Sequence, residues 1–286
     1  LPIRSFGLLI LMLAGLAGNF SWADEVRYPM EAGRIVEDSF PFQVLKLALQ
    51  KAEGEWSLVP SPAGPMNERR SKILLARGHE VDVAWYGTSA KVEEKLQPVR
   101  IPISGGLLGW RVLLINRNDQ HKFSQIDDFE QLKSFVFVQG AGWSDIEILE
   151  GAGLTVATYP YADLFSLAAS QHEHVFSRGV EEVYEEMNLY TSSIPDLALE
   201  QSLALRYSFA RLFFVQIGNE KLHNAIYEGL VKAHEDGSYQ ALFDTHPSNW
   251  AALNKINLED RKIFKIPNVT MSAETLAIDK KYWFQP

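Results

Sequence analysis

Apolar positions along this chain follow two rhythms that take turns. Short runs rich in branched and aromatic residues read as buried strands: Val81–Trp85, Trp110–Ile115, Phe135–Val138, Leu154–Thr158, His174–Phe176, Leu203–Tyr207 and Leu212–Ile217. Between them, apolar residues recur at helical spacing. Phe42, Leu45, Leu49 and Ala52 form one stripe, and Leu222, Ile226 and Leu230 another. Further helices are expected around Ile126–Leu132, Asp145–Glu150, Ala162–Ser170 and Val180–Met187. Glu25–Tyr28 and Ser57–Val59 add two short strands, the second closed by a turn at Pro60-Ser61-Pro62. Asn67 is a fitting N-cap for a helix that stops at Gly78, and Gly237 sits where a left-handed helix stop is wanted. Strand–helix alternation of this kind predicts mostly parallel sheets covered by helices.

The rhythm breaks at Val99–Ile115, where Pro102, Ser104, Gly105, Gly106 and Gly109 interrupt two apolar runs. Such a segment suits a crossing between two halves of the molecule. From Leu197 to Ile217 three strand-like runs follow with no long helix between them, which suggests chain returning to the first half. A length of 286 residues allows two lobes. The expected division is lobe 1 over 24–105 plus 212–286 and lobe 2 over 106–211, with hinges near Ser104–Gly109 and Phe209–Leu212.

The first 23 residues change the picture of where the protein works. Arg4, an apolar stretch from Phe6 to Ala17 and small residues around Ser21-Trp22-Ala23 read as a signal peptide cut near Ala23; the alternative is a membrane anchor. There is no cysteine, so neither a disulfide nor a lipid-bearing cysteine is expected, and the mature chain should be free in a periplasm. A formal net charge of −9 argues against nucleic-acid binding.

Chemistry-bearing motifs are sparse. Gly140-x-Gly142 lacks the rest of a dinucleotide fingerprint, no G-x-S-x-G occurs, and no cofactor is implied. His172-Glu173-His174 has no third ligand nearby, so surface histidines rather than a metal site are expected. Glu181, Glu182, Glu185 and Glu186 read as a solvated helical face. Ser144 and Glu147 have the spacing of a capping box, with Trp143 and Ile148 as its staple, so a helix should start at Asp145 after a glycine-rich turn. Its N-terminus could hold an anionic group.

Several stretches carry a family likeness. Gly78-His79-Glu80-Val81-Asp82-Val83 leads into the Trp85-Tyr86-Gly87-Thr88-Ser89 loop. Ile101-Pro102-Ile103 and Gly106-Leu107-Leu108-Gly109 follow, and His234-Glu235-Asp236-Gly237-Ser238-Tyr239 comes late, after Leu212–Ile217. In order and spacing they resemble bacterial periplasmic solute-binding proteins of family 3, the amino-acid type with the type II periplasmic binding fold. The resemblance implies an α/β, two-lobed molecule in which each lobe is a mixed, mostly parallel sheet flanked by helices, joined by two hinge strands. It also implies a monomer without catalytic activity that closes on a small polar solute and delivers it to the permease of a membrane ABC transporter, or signals to a membrane sensor. A rival on the same scaffold is an exported cyclohexadienyl-type dehydratase using Glu68, Asp145 or Glu147.

By resemblance the ligand lies between the lobes. Gly87, Thr88 and Ser89 would meet a carboxylate, aided in the family by an arginine whose place here is taken by Val92, with Lys91 or Arg69 as substitutes. Gly140, Gly142, Trp143, Ser144 and Asp145 would line the other side, and Tyr28, Trp85 and Trp143 could stack on a flat ligand. Arg178 stands where amino-acid binders carry an acidic residue, which implies an acidic ligand group there.

Overall fold

A computed structural model describes residues 23–33 and 35–284 of the chain. The signal-peptide expectation falls, but for Ala23, outside them. Among the described residues no helix is long and apolar enough to cross a membrane.

Among the described residues twelve strands run in chain order as β1 (Asp24–Met30), β2 (Trp56–Pro65), β3 (Val83–Gly87), β4 (Gln97–Val99), β5 (Trp110–Asn116), β6 (Val136–Gly140), β7 (Thr155–Tyr159), β8 (His174–Gly179), β9 (Leu197–Leu199), β10 (Leu203–Arg206), β11 (Arg211–Val215) and β12 (Lys262–Lys265). They divide between two lobes of the type II periplasmic-binding architecture. In the smaller lobe β1 pairs in parallel with β2, while β11 lies antiparallel between β3 and β4. Arg27 and Asp82 join the two pieces: each backbone N–H bonds across at 2.8 Å, and the guanidinium meets the carboxylate at 2.6 Å. In the larger lobe the order is β12-β10-β5-β8-β6-β7, with β9 also on β5. There β6 is parallel to β7 and β8, and β5 runs antiparallel to β8, β9 and β10.

Local chemistry explains most of the helices. Ser39 caps the helix Phe40–Lys51 with Pro41 in its first turn, and Asn67 Oδ1 accepts from Arg70 N at 2.9 Å to start Glu68–Ala76. The amphipathic helix Glu220–Glu235 buries Leu222, Ile226 and Leu230 and lies directly on Phe40–Lys51. The two backbones touch at Gly229, where a Cβ would stand 1.9 Å from the Ala48 carbonyl oxygen.

Two expectations change. The second strand does not end at Pro60-Ser61-Pro62; β2 continues to Pro65, but its pairing with β1 jumps there from Tyr28 opposite Pro60 to Met30 opposite Pro65, so the strand bulges at the expected turn. It is an edge strand bonded to β1 alone, and prolines are tolerated where an N–H has nothing to pair with. The tail also does not stay with the smaller lobe throughout. β12 pairs in parallel with β10 and so joins the larger sheet, led in by buried Arg261, which donates to the Ile256 carbonyl at 2.9 Å and the Leu203 carbonyl at 3.0 Å. The chain then returns: Ala90 N donates to Thr270 O at 2.7 Å, and Phe284 N donates to Gly105 O at 2.8 Å. The tail thus adds further passages between the lobes to the two at Ser104–Gly109 and Phe209–Leu212.

Candidate functional site

Between the lobes lies a cavity of about 500 Å³. The smaller lobe contributes Met66, Glu68, Ser71 and the end of β3, namely Trp85, Tyr86 and Gly87. The larger lobe contributes Leu108, Arg111, the Trp143-Ser144-Asp145 turn, Tyr161, Arg178, and Glu181, Glu182 and Glu185 of the helix Val180–Tyr190. Phe209 and Arg211 come from the returning crossover and its strand. A volume of this order and a mixture of aromatic and charged walls are those of a small-molecule site.

The lobes are clasped around it. Ser144 Oγ donates to the Gly87 carbonyl at 2.7 Å, Lys72 Nζ to the Gly142 carbonyl at 3.4 Å, and Lys91 Nζ meets Glu147 at 2.7 Å. These contacts correct the expected capping box. The helix here is only Ile146–Gly151, its N-cap Asp145 makes no side-chain cap bond, and both Ser144 and Glu147 reach across to the other lobe. Asp145 is itself buried on Arg111, at 2.9 Å. Its carboxylate thus serves Arg111 and leaves the helix N-terminus without a side-chain cap.

A chain of buried ion pairs forms the floor. Arg111 donates to Asp145 and to the Ser177 carbonyl, each at 2.9 Å, and to the Leu108 carbonyl at 3.2 Å. Arg178 grips Glu186 with two bonds, at 2.8 and 2.6 Å, and lies over the Trp143 ring at 4.7 Å. Arg211 meets Glu181 at 2.9 Å and also bonds Glu182. Glu182 stands among all three arginines, 3.7 Å from Arg111 and 3.1 Å from Arg178. Burial alone would lower the Arg178 pKa, but Glu182 and Glu186 more than reverse it, so the guanidinium stays charged. Burial pushes the Glu181 carboxyl up, against the pull of Arg211. It likewise raises Glu68, against the ion pair with Lys72 at 2.6 Å.

The expected site residues separate into three groups. Trp85, Gly87, Trp143, Ser144, Asp145 and Arg178 line the cavity. Gly140 and Gly142 shape the turn beside it: a Cβ on Gly140 would stand 2.4 Å from the Trp143 ring, and Gly142 has φ +85°. Tyr28, Arg69, Thr88 and Ser89 lie outside the lining. Tyr28 is buried against Phe42 with its hydroxyl on Glu37, and Arg69 is exposed. Thr88 Oγ1 donates to Glu93 at 2.5 Å, and Ser89 caps the turn Ala90–Glu93. Val92 packs half-buried in the smaller lobe, and Lys91 is held by Glu147, so neither brings a cation to the loop. Arg178 faces the cavity but is already paired, which removes the basis for an acidic ligand group there.

Sequence reasoning missed Arg111, Arg211, Tyr86, Tyr161, Glu181 and Glu182. The four glutamates do not form one solvated face: Glu185 is exposed, but Glu181 and Glu186 are 7% and 0% exposed. The available signal was Arg178 one turn ahead of them, with Arg111 and Arg211 inside strand-like runs, where an isolated charge must find a partner. His172 turns to Asp119 at 2.7 Å.

No family model matches the chain, and no curated protein matches it. Solved structures do. A binding component of an ABC transporter from Wolinella succinogenes, complexed with lysine, superposes with a TM-score of 0.58 at 14% identity, over 77% of this chain and 94% of that one. A histidine kinase sensor domain with similarity to periplasmic binding proteins gives 0.57 at 15% identity, over 79% and 96%. An ancestral amino-acid-binding protein, a precursor of cyclohexadienyl dehydratase, gives 0.55 at 13%, over 78% and 94%. At these identities the likeness establishes the two-lobed type II periplasmic-binding fold.

Proposed function

We propose that the protein is an exported binding protein that captures a small polar solute between its lobes and presents the closed form to a membrane partner, a transporter permease or a sensor. One observation carries this reading: a cavity of about 500 Å³ walled by both lobes and clasped by Ser144 on Gly87. A solute touching both walls stabilises the closed form by contacts that the open form cannot make. The solved structures of this fold include a transporter component and a kinase sensor domain, and closure serves either role. Because Arg178 is already paired with Glu186, the acidic ligand group that Arg178 suggests in the sequence is not carried over.

A thermal-shift panel of amino acids, amines, dicarboxylates and short peptides tests this. A true ligand at a hundred times its dissociation constant should add about 2.7 kcal/mol of stability. The gain should vanish in Trp143→Ala. A panel without a single hit, or hits indifferent to Trp143→Ala, contradicts the proposal. The dehydratase alternative has one observation in its favour: a carboxyl group, Glu68, lines the cavity, where an acid or base would have to stand. Turnover of prephenate to phenylpyruvate that is lost in Glu68→Gln would establish it; no turnover excludes it.

A further inference from the structure

We infer that the C-terminal tail is a strap that limits how far the two lobes can open. The inference rests on the hinged lobes of the binding role proposed above and adds what restrains them.

The strap is anchored at both ends. At the larger lobe, β12 pairs with β10 over Lys262–Lys265, and Ile266 N donates to the Arg206 carbonyl at 3.0 Å. At the smaller lobe, Ala90 N donates to the Thr270 carbonyl at 2.7 Å, and the Ser272 and Thr275 hydroxyls donate to Glu93, each at 2.7 Å. Ile278 then joins the core of that lobe with Leu75, Leu96 and Phe214. Four steps of chain lead from Ile266 to Thr270. Extended chain of that length reaches no more than about 14 Å. Asn268 draws the link in further. Its Nδ2 donates to the Ser208 carbonyl of the returning crossover at 2.7 Å, and its Oδ1 accepts from Thr270 N and Oγ1, each at 2.8 Å.

The strap ends on the other crossover. Phe284 N donates to the Gly105 carbonyl at 2.8 Å. Gly105 and Gly106 have φ +58° and +80°, and a Cβ on them would stand 2.8 Å from Phe284 N and 2.7 Å from the Trp283 ring. Lobe opening is absorbed by backbone rotation in a few connecting residues. Here Trp283 and Phe284 lie directly on such residues, while Thr270, Ser272 and Thr275 hold the tail to the smaller lobe. Opening past the reach of the link would have to break one of these anchors. The strap thus sets the widest cleft that the protein presents to a solute.

X-ray scattering from the whole protein without ligand tests this. Gly-Ser-Gly-Ser inserted between Pro267 and Asn268 should raise the radius of gyration. The same insertion after Ser192, in an exposed turn within the larger lobe, should not. Asn268→Ala, which keeps the length of the link but frees it, should give a smaller rise than the lengthened link. Gly151→Cys with Val269→Cys, added to the lengthened chain, makes the effect reversible. A Cβ on Gly151 would stand 3.8 Å from Val269 Cγ2, so a disulfide there bypasses the inserted residues. Oxidation should bring the radius back to the wild-type value or below, and reductant should raise it again in the same sample, which a folding defect would not reproduce. A lengthened chain no larger than the Ser192 control overturns the inference, as does a radius that ignores the disulfide. Should the lengthened chain fail to fold, an unchanged radius in Asn268→Ala overturns it instead. These measurements use no ligand, so their failure leaves the binding role to the thermal-shift panel.

Discussion

The turn after β3 and the turn after β6 look alike as sequence, yet the protein uses them in opposite ways. Each places small and hydroxyl-bearing residues, Gly87-Thr88-Ser89 and Gly140-Ala141-Gly142-Trp143-Ser144, just before a short helix. Apart from the Gly87 carbonyl, which receives Ser144, the first keeps its polar groups for its own lobe, the returning crossover and the tail. Its hub is Glu93, which receives Thr88 Oγ1 at 2.5 Å, Ser272 and Thr275 hydroxyls each at 2.7 Å, and Arg100 at 2.8 Å. The second leaves its helix uncapped and sends Ser144, Glu147 and the Gly142 carbonyl to the other lobe. The first turn is scaffold and the second is clasp. A hydroxyl at an N-cap position therefore does not reveal whether it will cap, because a partner across a cleft competes for the same atom.

The largest expected effect lies at the base of the clasp. Arg111→Ala leaves Asp145 buried and uncompensated, and should cost about 3–5 kcal/mol in chemical denaturation. The corresponding change at the first turn, Arg100→Ala, should cost about 1 kcal/mol, because Glu93 keeps three hydroxyl donors. Equal costs would erase the distinction between the two turns. Next comes Gly140→Ala, whose Cβ would stand 2.4 Å from the rigid Trp143 ring. Displacing that ring should cost about 1–3 kcal/mol and weaken ligand binding as well.

The comparison sharpens with two serines. Ser89→Ala should lower stability by about 1 kcal/mol and leave ligand affinity unchanged, as loss of a cap requires. Ser144→Ala should do the reverse: stability without ligand nearly unchanged, and affinity about fivefold weaker for the loss of one clasp bond of about 1 kcal/mol. Denaturation and calorimetry on both variants separate the outcomes. The smallest effect belongs to the exposed Lys91–Glu147 pair. Lys91→Ala should weaken affinity less than about twofold at low salt and not at all in concentrated salt, where screening removes the interaction.

What the sequence made legible follows from how local each signal was. The run Leu212–Ile217, the stripe Leu222-Ile226-Leu230 and the interrupted stretch Val99–Gly109 each write their role within a dozen residues, and together they carried the two-lobed fold. The strand β12 did not, because Lys262-Ile263-Phe264-Lys265 is four residues long and gains its strand character from the exposed edge of β10. The prolines of β2 read as a turn because the pairing that carries the strand past them, after a jump in register, is supplied by β1 and is not written locally. At the site, the aromatic residues Trp85 and Trp143 were legible from their places at strand ends. The charges were not: Arg111, Glu181, Glu182, Glu186 and Arg211 come from three separate stretches, and only their meeting explains their burial.

Closure around a solute is the claim on which the rest depends, and the absence of cysteine from the chain makes it directly measurable. Glu94 and Glu150 are exposed, one turn beyond the residues of the Lys91–Glu147 contact, on opposite lobes. Fluorescent labels on Glu94→Cys and Glu150→Cys should report rising single-molecule energy transfer as a ligand found in the thermal-shift panel is added, tracking its calorimetric binding curve. Transfer that stays constant while that ligand saturates the protein would contradict a cleft that closes on its ligand.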